Sequence, residues 1–236
     1  MTQYIISIII PVLNEAAIIK HTLEKLHLSP EVEVIVVDGG SQDRTLAIAQ
    51  EMGVKAMIIL GGRSAQLNAG AEIAQGKILL FLHIDTCLPR NFIDLITQTL
   101  QQPKVIAGAF ELAIEGENRS LRWIETLVKM RSHLFSLPYG DQGIFMCKQA
   151  FTNVGGFASM PIMEDFELVQ RLKSHGKIAI ASGSVITSGR RWQTLGVWKT
   201  TLINQLVIAG YYLGVSPSKL SRFYRNRGKN RVISNE

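Results

Sequence analysis

Residues 5–12, IISIIIPV, form an unbroken apolar and largely β-branched run, the pattern of a strand buried on both faces. Behind it, Asn14 is placed to cap a helix whose apolar positions Ile18, Ile19, Leu23 and Leu26 recur at helical spacing. The alternation then repeats. A strand over 32–37 ends in the polar turn Asp38-Gly39-Gly40-Ser41 and leads to a helix over 43–52. A strand over 55–60 leads through Gly61-Gly62 to a helix over 64–74, stopped near Gly76. A strand over 78–82 is followed, past Pro89, by a helix over 91–100. Four such units predict an open parallel sheet with helices on both faces.

After Pro103 the rhythm changes. The pattern predicts an extended segment over 106–114, a long helix over 121–137, a short strand over 143–147, a helix over 163–175 and a strand over 178–181. Strands and helices no longer alternate, so these pieces are expected to add mixed or antiparallel strands to the same sheet. The expectation is one α/β domain over 1–195 in two unequal lobes, 1–102 and 103–195, with 196–236 as an appendage.

Composition narrows the classes. With 47% hydrophobic residues in 236 the chain can bury a real core, and 20 Gly and 7 Pro exclude collagen-like and low-complexity types. Two cysteines, Cys87 and Cys147, build no disulfide framework, and no Cys/His cluster suggests zinc. The first fifteen residues carry neither a basic n-region nor a small-residue cleavage site, so a cytoplasmic location is the default expectation. The net charge of +6 is uneven: residues 1–189 carry 16 Lys/Arg against 18 Asp/Glu, and residues 190–236 carry nine Lys/Arg and only Glu236 as acid. A near-neutral body argues against nucleic acid as partner.

Ligands of open α/β sheets bind at the carboxyl ends of the strands. Three polar groups stand at such ends: Asn14-Glu15 after the first strand, Asp38 after the second and His83-Ile84-Asp85 after the fourth. Asp38 can hydrogen-bond a base or ribose, and Asp85 is a hard oxygen ligand suited to Mg²⁺ or Mn²⁺ on a pyrophosphate. Asp38 alone could as well cap a helix, but two acids on separate strand ends shift the balance toward a site. No G-x-x-x-x-G-K-S/T occurs, and no G-x-G-x-x-G follows the first strand, so the P-loop and dinucleotide motifs are absent.

Together, SIIIPVLNE (7–15), IVVDGGSQDRT (35–45), GRSAQLNAGAEIAQG (62–76), LLFLHIDT (79–86), YGDQGIF (139–145), EDFEL (164–168) and GRRW (189–192) resemble, in order, a family-2 glycosyltransferase of the GT-A fold. The likeness is to a compact bacterial subgroup, with a partial likeness to enzymes that glycosylate carotenoid acids. It implies an inverting, metal-dependent transfer from a UDP-sugar. Asp38 would bind the base with Asp43 beside it, and Pro11, Asn14 and Glu15 would complete the nucleoside pocket. Arg63 and Asn68 would lie near the diphosphate, with Arg190 or Arg191 sharing its charge. His83-x-Asp85 stands where the family has its D-x-D metal motif, so Mn²⁺ or Mg²⁺ should rest mainly on Asp85. Asp165, paired with Glu164, matches the catalytic base. Asp141 and Gln142 would line the acceptor side. Trp192 is either core or an apolar platform.

The rival readings are a GT-A-like nucleotidyltransferase, which would carry a Gly-rich basic loop where PVLNE stands, and a catalytically degenerate nucleotide-sugar-binding protein. The four histidines other than His83 show no partner pattern and read as surface or packing residues; among them His133, near Arg131, stands out.

The apolar run 202–215 precedes SPSKLSRFYRNRGKNR, rich in Lys and Arg. Lys199, Asn204 and Gln205 interrupt it, so a membrane span is not expected. Two readings remain: a helix lying on a membrane with its basic tail on anionic lipid, or a helix packed on the protein. The first would favour a lipid-linked or membrane-resident acceptor.

Overall fold

The computed structural model describes residues 4–26, 29–116, 119–189 and 196–228. The first half is built as β1 (Ile6–Val12), α1 (Ile19–Lys25), β2 (Val32–Asp38), α2 (Thr45–Glu51), β3 (Lys55–Ile58), α3 (Arg63–Ile73), β4 (Ile78–Phe81), β5 (Thr86–Cys87) and α4 (Phe92–Leu100). The second half has β6 (Val105–Ile114), α5 (Arg119–Phe135), a 3₁₀ turn (Gly140–Gln142), β7 (Ile144–Cys147), α6 (Lys148–Asn153), α7 (Glu164–Lys173) and β8 (Lys177–Thr187). Two further helices follow, α8 (Val197–Tyr212) and α9 (Pro217–Gly228).

The strands form one sheet in the order β3-β2-β1-β4-β7-β6-β8-β5. β3, β2, β1 and β4 are parallel; β7 then runs antiparallel to both β4 and β6. The change of direction falls between β4 and β7, while β5, from the first half of the chain, pairs with β8 at the far edge. β1 shows why it sits at the centre: Ile6, Ile8 and Ile10 face one core cluster and Ile9 the other. At ~1.5–3 kcal/mol per buried aliphatic side chain, a one-residue slip would exchange the two faces at prohibitive cost. One face packs beneath α1, α2, α4 and α5, and the opposite face beneath α3, α6 and α7. The result is a mixed sheet with helices on both faces, the architecture expected from the sequence.

Several details depart from the sequence pattern. β8 runs on to Thr187, well past 181, and bridges β6 to β5. The register jumps from Phe110↔Ala181 to Glu111↔Ser184, and the two extra residues bulge out. Gly183 permits the bulge, since a Cβ there would lie 2.4 Å from Leu95. α6 and β5, each short, had no periodic signal long enough to register. Asn14 does not cap α1, which begins at Ile19. It adopts the left-handed conformation (φ 56°) and turns its side chain elsewhere.

Candidate active site

The first three polar groups converge at the carboxyl edge of the parallel strands. The loop after β1 is stitched to the loop after β2 by four hydrogen bonds. The Asn14 N–H donates to Ser41 Oγ (2.8 Å), Gln42 N–H to Asn14 Oδ1 (2.8 Å), Glu15 N–H to Thr45 Oγ1 (2.8 Å) and Ala16 N–H to Asp43 Oδ2 (3.1 Å). Asn14, Glu15 and Asp43 thereby frame the corner through the loops they hold. Gln66 of α3, which the sequence reading passed over, fastens the strands below: its Nε2 donates to the carbonyls of Val12 (3.0 Å) and Val37 (2.7 Å). Gln66 lies against Gly39, where a Cβ would approach Gln66 Nε2 to 3.2 Å.

Asp38 sits at the end of β2, 1% exposed. Its Oδ1 accepts the N–H groups of Gly40 (2.7 Å) and Ser41 (2.6 Å), and Gly40 (φ 95°) makes that tight return possible. Its Oδ2 is buried with no partner among the described residues. An orphaned buried acceptor costs ~1–3 kcal/mol, so a donor group from a ligand is the economical way to satisfy it. Pro11, one residue before the end of β1, lies beside Val37 in the next strand.

The second corner gathers residues from four separate elements. Arg63, at the start of α3, touches the Nε2 of His83 with its Nη2 and reaches Glu164 Oε1 with its Nε at 3.5 Å. Asp165 Oδ2 accepts the Gly140 N–H at 2.6 Å, and its Oδ1 accepts the Phe166 N–H at 2.8 Å. Gly140 is the keystone. A Cβ there would stand 2.6 Å from Asp165 Oδ2, 3.0 Å from Arg63 Nη2 and 3.2 Å from His83 Nε2. The pair Glu164-Asp165 opens α7, where the helix dipole favours acids, and follows Met163 held at φ 69°.

Charges in this corner are tuned by burial. Burial, then the Arg63 guanidinium, holds the His83 imidazole well below its usual range, so it is neutral at pH 7. Burial raises Glu164; Arg63 opposes the rise and Asp165 adds to it. Asp141 is pushed up to about 6 by burial, with Arg131 and Arg63 pulling down and Asp165 pushing up. Its Oδ1 is the second buried oxygen with no partner among the described residues.

Two of the expected site residues have their side-chain amides engaged within the fold. Asn68 bonds the Phe157 backbone twice, at 2.9 Å each, and so pins a loop. Gln142 is 1% exposed: its Oε1 accepts from Arg131 Nη2 (2.9 Å), Ser132 Oγ (3.0 Å) and Tyr139 N–H (3.2 Å), and its Nε2 donates to Phe110 O (2.9 Å). It shapes the turn that presents Asp141. Arg131, whose guanidinium lies 3.4 Å over the Tyr139 ring, braces the same turn. His133 bonds Glu111 at 3.2 Å on the surface. Asp85 follows His83 in the turn between β4 and β5, where its carbonyl accepts the Ser188 N–H at 3.1 Å. Arg190, Arg191 and Trp192 lie outside the described residues, as does His27.

A sheet with acids at several strand ends is shared by many enzymes; the match to a family model decides among them. The model described as Glycosyl transferase family 2 fits residues 7–163. The chain belongs to glycosyl transferase family 2. Among the relatives, the undecaprenyl-phosphate 4-deoxy-4-formamido-L-arabinose transferase of Pseudomonas aeruginosa is 27% identical over 139 residues, 53% of this chain and 41% of its own length. The chain spans about two fifths of the length of the curated relatives it matches. Of the solved structures, the Pyrobaculum calidifontis mannosyltransferase PcManGT, in complex with GDP-Man and Mn²⁺, superposes with a TM-score of 0.67 at 17% identity, over 94% of this chain and 68% of that one. The Mycobacterium tuberculosis glucosyl-3-phosphoglycerate synthase, holding Mn²⁺, UDP and glucosyl-3-phosphoglycerate, gives 0.57 at 19%, over 82% and 75%. These likenesses establish the GT-A fold.

Proposed function

We propose that this family-2 glycosyltransferase moves a sugar, with inversion at its anomeric carbon, from a UDP-sugar to an acceptor carried by a lipid or held at a membrane surface. The grouping of Asp141, Asp165 and Arg63 about Gly140 carries this reading: it sets two carboxylates and a cation close around one glycine. The uridine is assigned to the corner of Pro11, Asn14, Glu15 and Asp38, with Asp38 Oδ2 accepting from the base. UDP in one structural neighbour and GDP-Man in another leave the sequence resemblance to choose between the nucleotides. The lipid acceptor is supported by the polyprenyl-phosphate relative.

In such a transfer the acceptor hydroxyl attacks as the diphosphate departs from the opposite face. Asp165 takes the hydroxyl proton, a contribution of about 10²–10⁴ in rate. Its two backbone hydrogen bonds fix its orientation, and each oxygen keeps acceptor capacity for the incoming proton. Asp141 offers its unpartnered oxygen to a substrate hydroxyl. Arg63, with Arg190 or Arg191, offsets charge on the leaving diphosphate, at ~3 kcal/mol per well-placed donor. Trp192 is assigned to the acceptor side.

A divalent ion would be held through Asp85, which follows His83 in the turn after β4 and whose carboxylate is a hard oxygen ligand, together with phosphate oxygens of the donor. His83 fits less well, because its Nε2 faces the Arg63 guanidinium. No cluster of three or more His, Cys, Asp or Glu occurs among the described residues, so the donor's phosphates must supply much of the coordination. When bound, Mn²⁺ or Mg²⁺ would neutralise the leaving group.

The test is release of UDP from a panel of UDP-sugars with Mn²⁺ or Mg²⁺. Release that is lost in Asp165→Asn and Asp85→Ala supports the reading. A wild type that neither binds UDP nor releases it overturns the UDP assignment.

A further inference from the structure

Helix α8 is apolar on both faces. Val197, Thr200, Ile203 and Val207 are buried, as a packed helix requires. The opposite side exposes Trp198 (72%), Leu202 and Leu206, and the turn beyond adds Leu213 (83%) and Val215. An ordinary surface helix presents polar residues there. No described helix is long and apolar enough to cross a membrane, so the stripe is not explained by a span.

The stripe belongs to a rigid hairpin. The Val215 N–H bonds Gly210 O (2.9 Å) and the Gly214 N–H bonds Tyr211 O (3.0 Å), closing α8 in a Schellman turn with Gly214 at φ 77°. Gly210 lets α9 pack close: a Cβ there would lie 2.8 Å from Leu220. With Leu220 and Ser221 turned inward, Lys219, Arg222, Arg225 and Arg227 are exposed, and α9 contains no acid. Helix α5 offers a contrast. It too exposes Trp123, Leu127, Met130 and Leu134, but its neighbouring cations are paired, Arg122 with Glu125 and Lys129 with Glu111. Among the described residues, only the α8–α9 hairpin joins an apolar stripe to positive charge without an acidic partner, the combination that anionic bilayers attract.

We propose that the α8–α9 hairpin is a docking surface for an anionic lipid bilayer, with the Trp198–Leu213 stripe entering the interface and the cations of α9 meeting lipid phosphates. This deepens the reading of a membrane-held acceptor without depending on the donor. The hairpin also touches the site. Tyr211 and Tyr212 stack edge-on against Phe166, at 5.4 and 5.7 Å, and the Phe166 N–H is a hydrogen-bond donor to Asp165. Docking therefore holds the wall of the catalytic corner at the surface where a lipid-borne hydroxyl is presented.

Vesicle flotation of the full chain tests this, comparing pure phosphatidylcholine with a mixture containing 30% phosphatidylglycerol. The wild type should float with the anionic vesicles and not with the neutral ones, and should be released by 0.5 M salt. Two variants, Trp198→Ser/Leu202→Ser/Leu206→Ser and Lys219→Gln/Arg222→Gln/Arg225→Gln/Arg227→Gln, should each bind at least tenfold more weakly, with an unchanged melting temperature and unchanged acceptor-free UDP release. A wild type that stays in solution with anionic vesicles overturns the proposal. So does a serine variant that floats as well as the wild type, or a wild-type dimer by light scattering that this variant converts to monomers without any vesicle binding. Flotation requires no turnover, so failure of the donor assignment would leave this result readable.

Discussion

Glu33 and Asp38 sit on the same strand, five residues apart, and both are buried. At the amino end of β2 every approach to Glu33 is filled: Ser7 Oγ, the Gln75 N–H and Lys55 Nζ all donate to its carboxylate. At the carboxyl end Asp38 keeps one oxygen that accepts from nothing among the described residues. The two acids are both buried but are treated oppositely. Where the fold supplies the donors a carboxylate is structural; where it withholds one, a place is left for a ligand. Asp141, with its unpartnered Oδ1 across the sheet, belongs with Asp38.

The sharpest test of this contrast is at the catalytic corner. Asp165→Asn should lower UDP release or sugar transfer by about 10²–10⁴, with a melting temperature within ~2 °C of wild type; loss of fold together with loss of rate would make Asp165 a structural acid. Glu33→Gln should do the reverse. Breaking its network should cost about 2–3 kcal/mol, a drop of ~5–10 °C in melting temperature, while activity per folded molecule stays unchanged. A Glu33 variant with normal stability would remove the distinction between the two ends of β2. Asp38→Asn retains an oxygen for Gly40 and Ser41, so the fold should hold while UDP affinity, by calorimetry, weakens about tenfold, or ~1.4 kcal/mol.

The smallest effect carries an opposite pH sign. Burial works against Glu33 too, but the donors from Gln75, Lys55 and Ser7 outweigh it and lower its pKa. Its contribution is present above the ordinary carboxylate range and is lost as pH falls through the lowered value. Asp141, raised to about 6, binds its proton more tightly in the folded chain, so stability falls as pH rises from about 4 to about 6. Asp141→Asn should therefore raise the melting temperature by ~2–4 °C at pH 7.5, near 1 kcal/mol after allowing for partial solvation, and leave it unchanged at pH 4. A decrease at pH 7.5 would show the carboxylate to be supporting the fold.

The sequence made the parallel half legible because β1, β2 and β4 are buried on both faces and read as continuous apolar runs. β8 was foreshortened, since beyond Ala181 its SGSVIT stretch bulges and half its side chains meet water. Candidate acids could be named from their places at strand ends, but their hydrogen-bond partners could not. Gln66 holds carbonyls 54 and 29 residues away, and no local pattern records such distant pairings. Asn68 and Gln142 were singled out as polar groups in motif segments; only their three-dimensional partners reveal that both side chains brace loops. Asn14 looked like a cap because helix start signals are local, whereas its partner Gln42 belongs to the next unit.

The shared grip of Gln66 on Val12 and Val37 bears on how such enzymes can be recombined. A chimera that takes only one of the two loops, after β1 or after β2, from another family member inherits a carbonyl positioned for a different clasp. Segments 11–16 and 38–45 and position 66 therefore form one transplantable cassette, although in the linear chain they lie in three separate places.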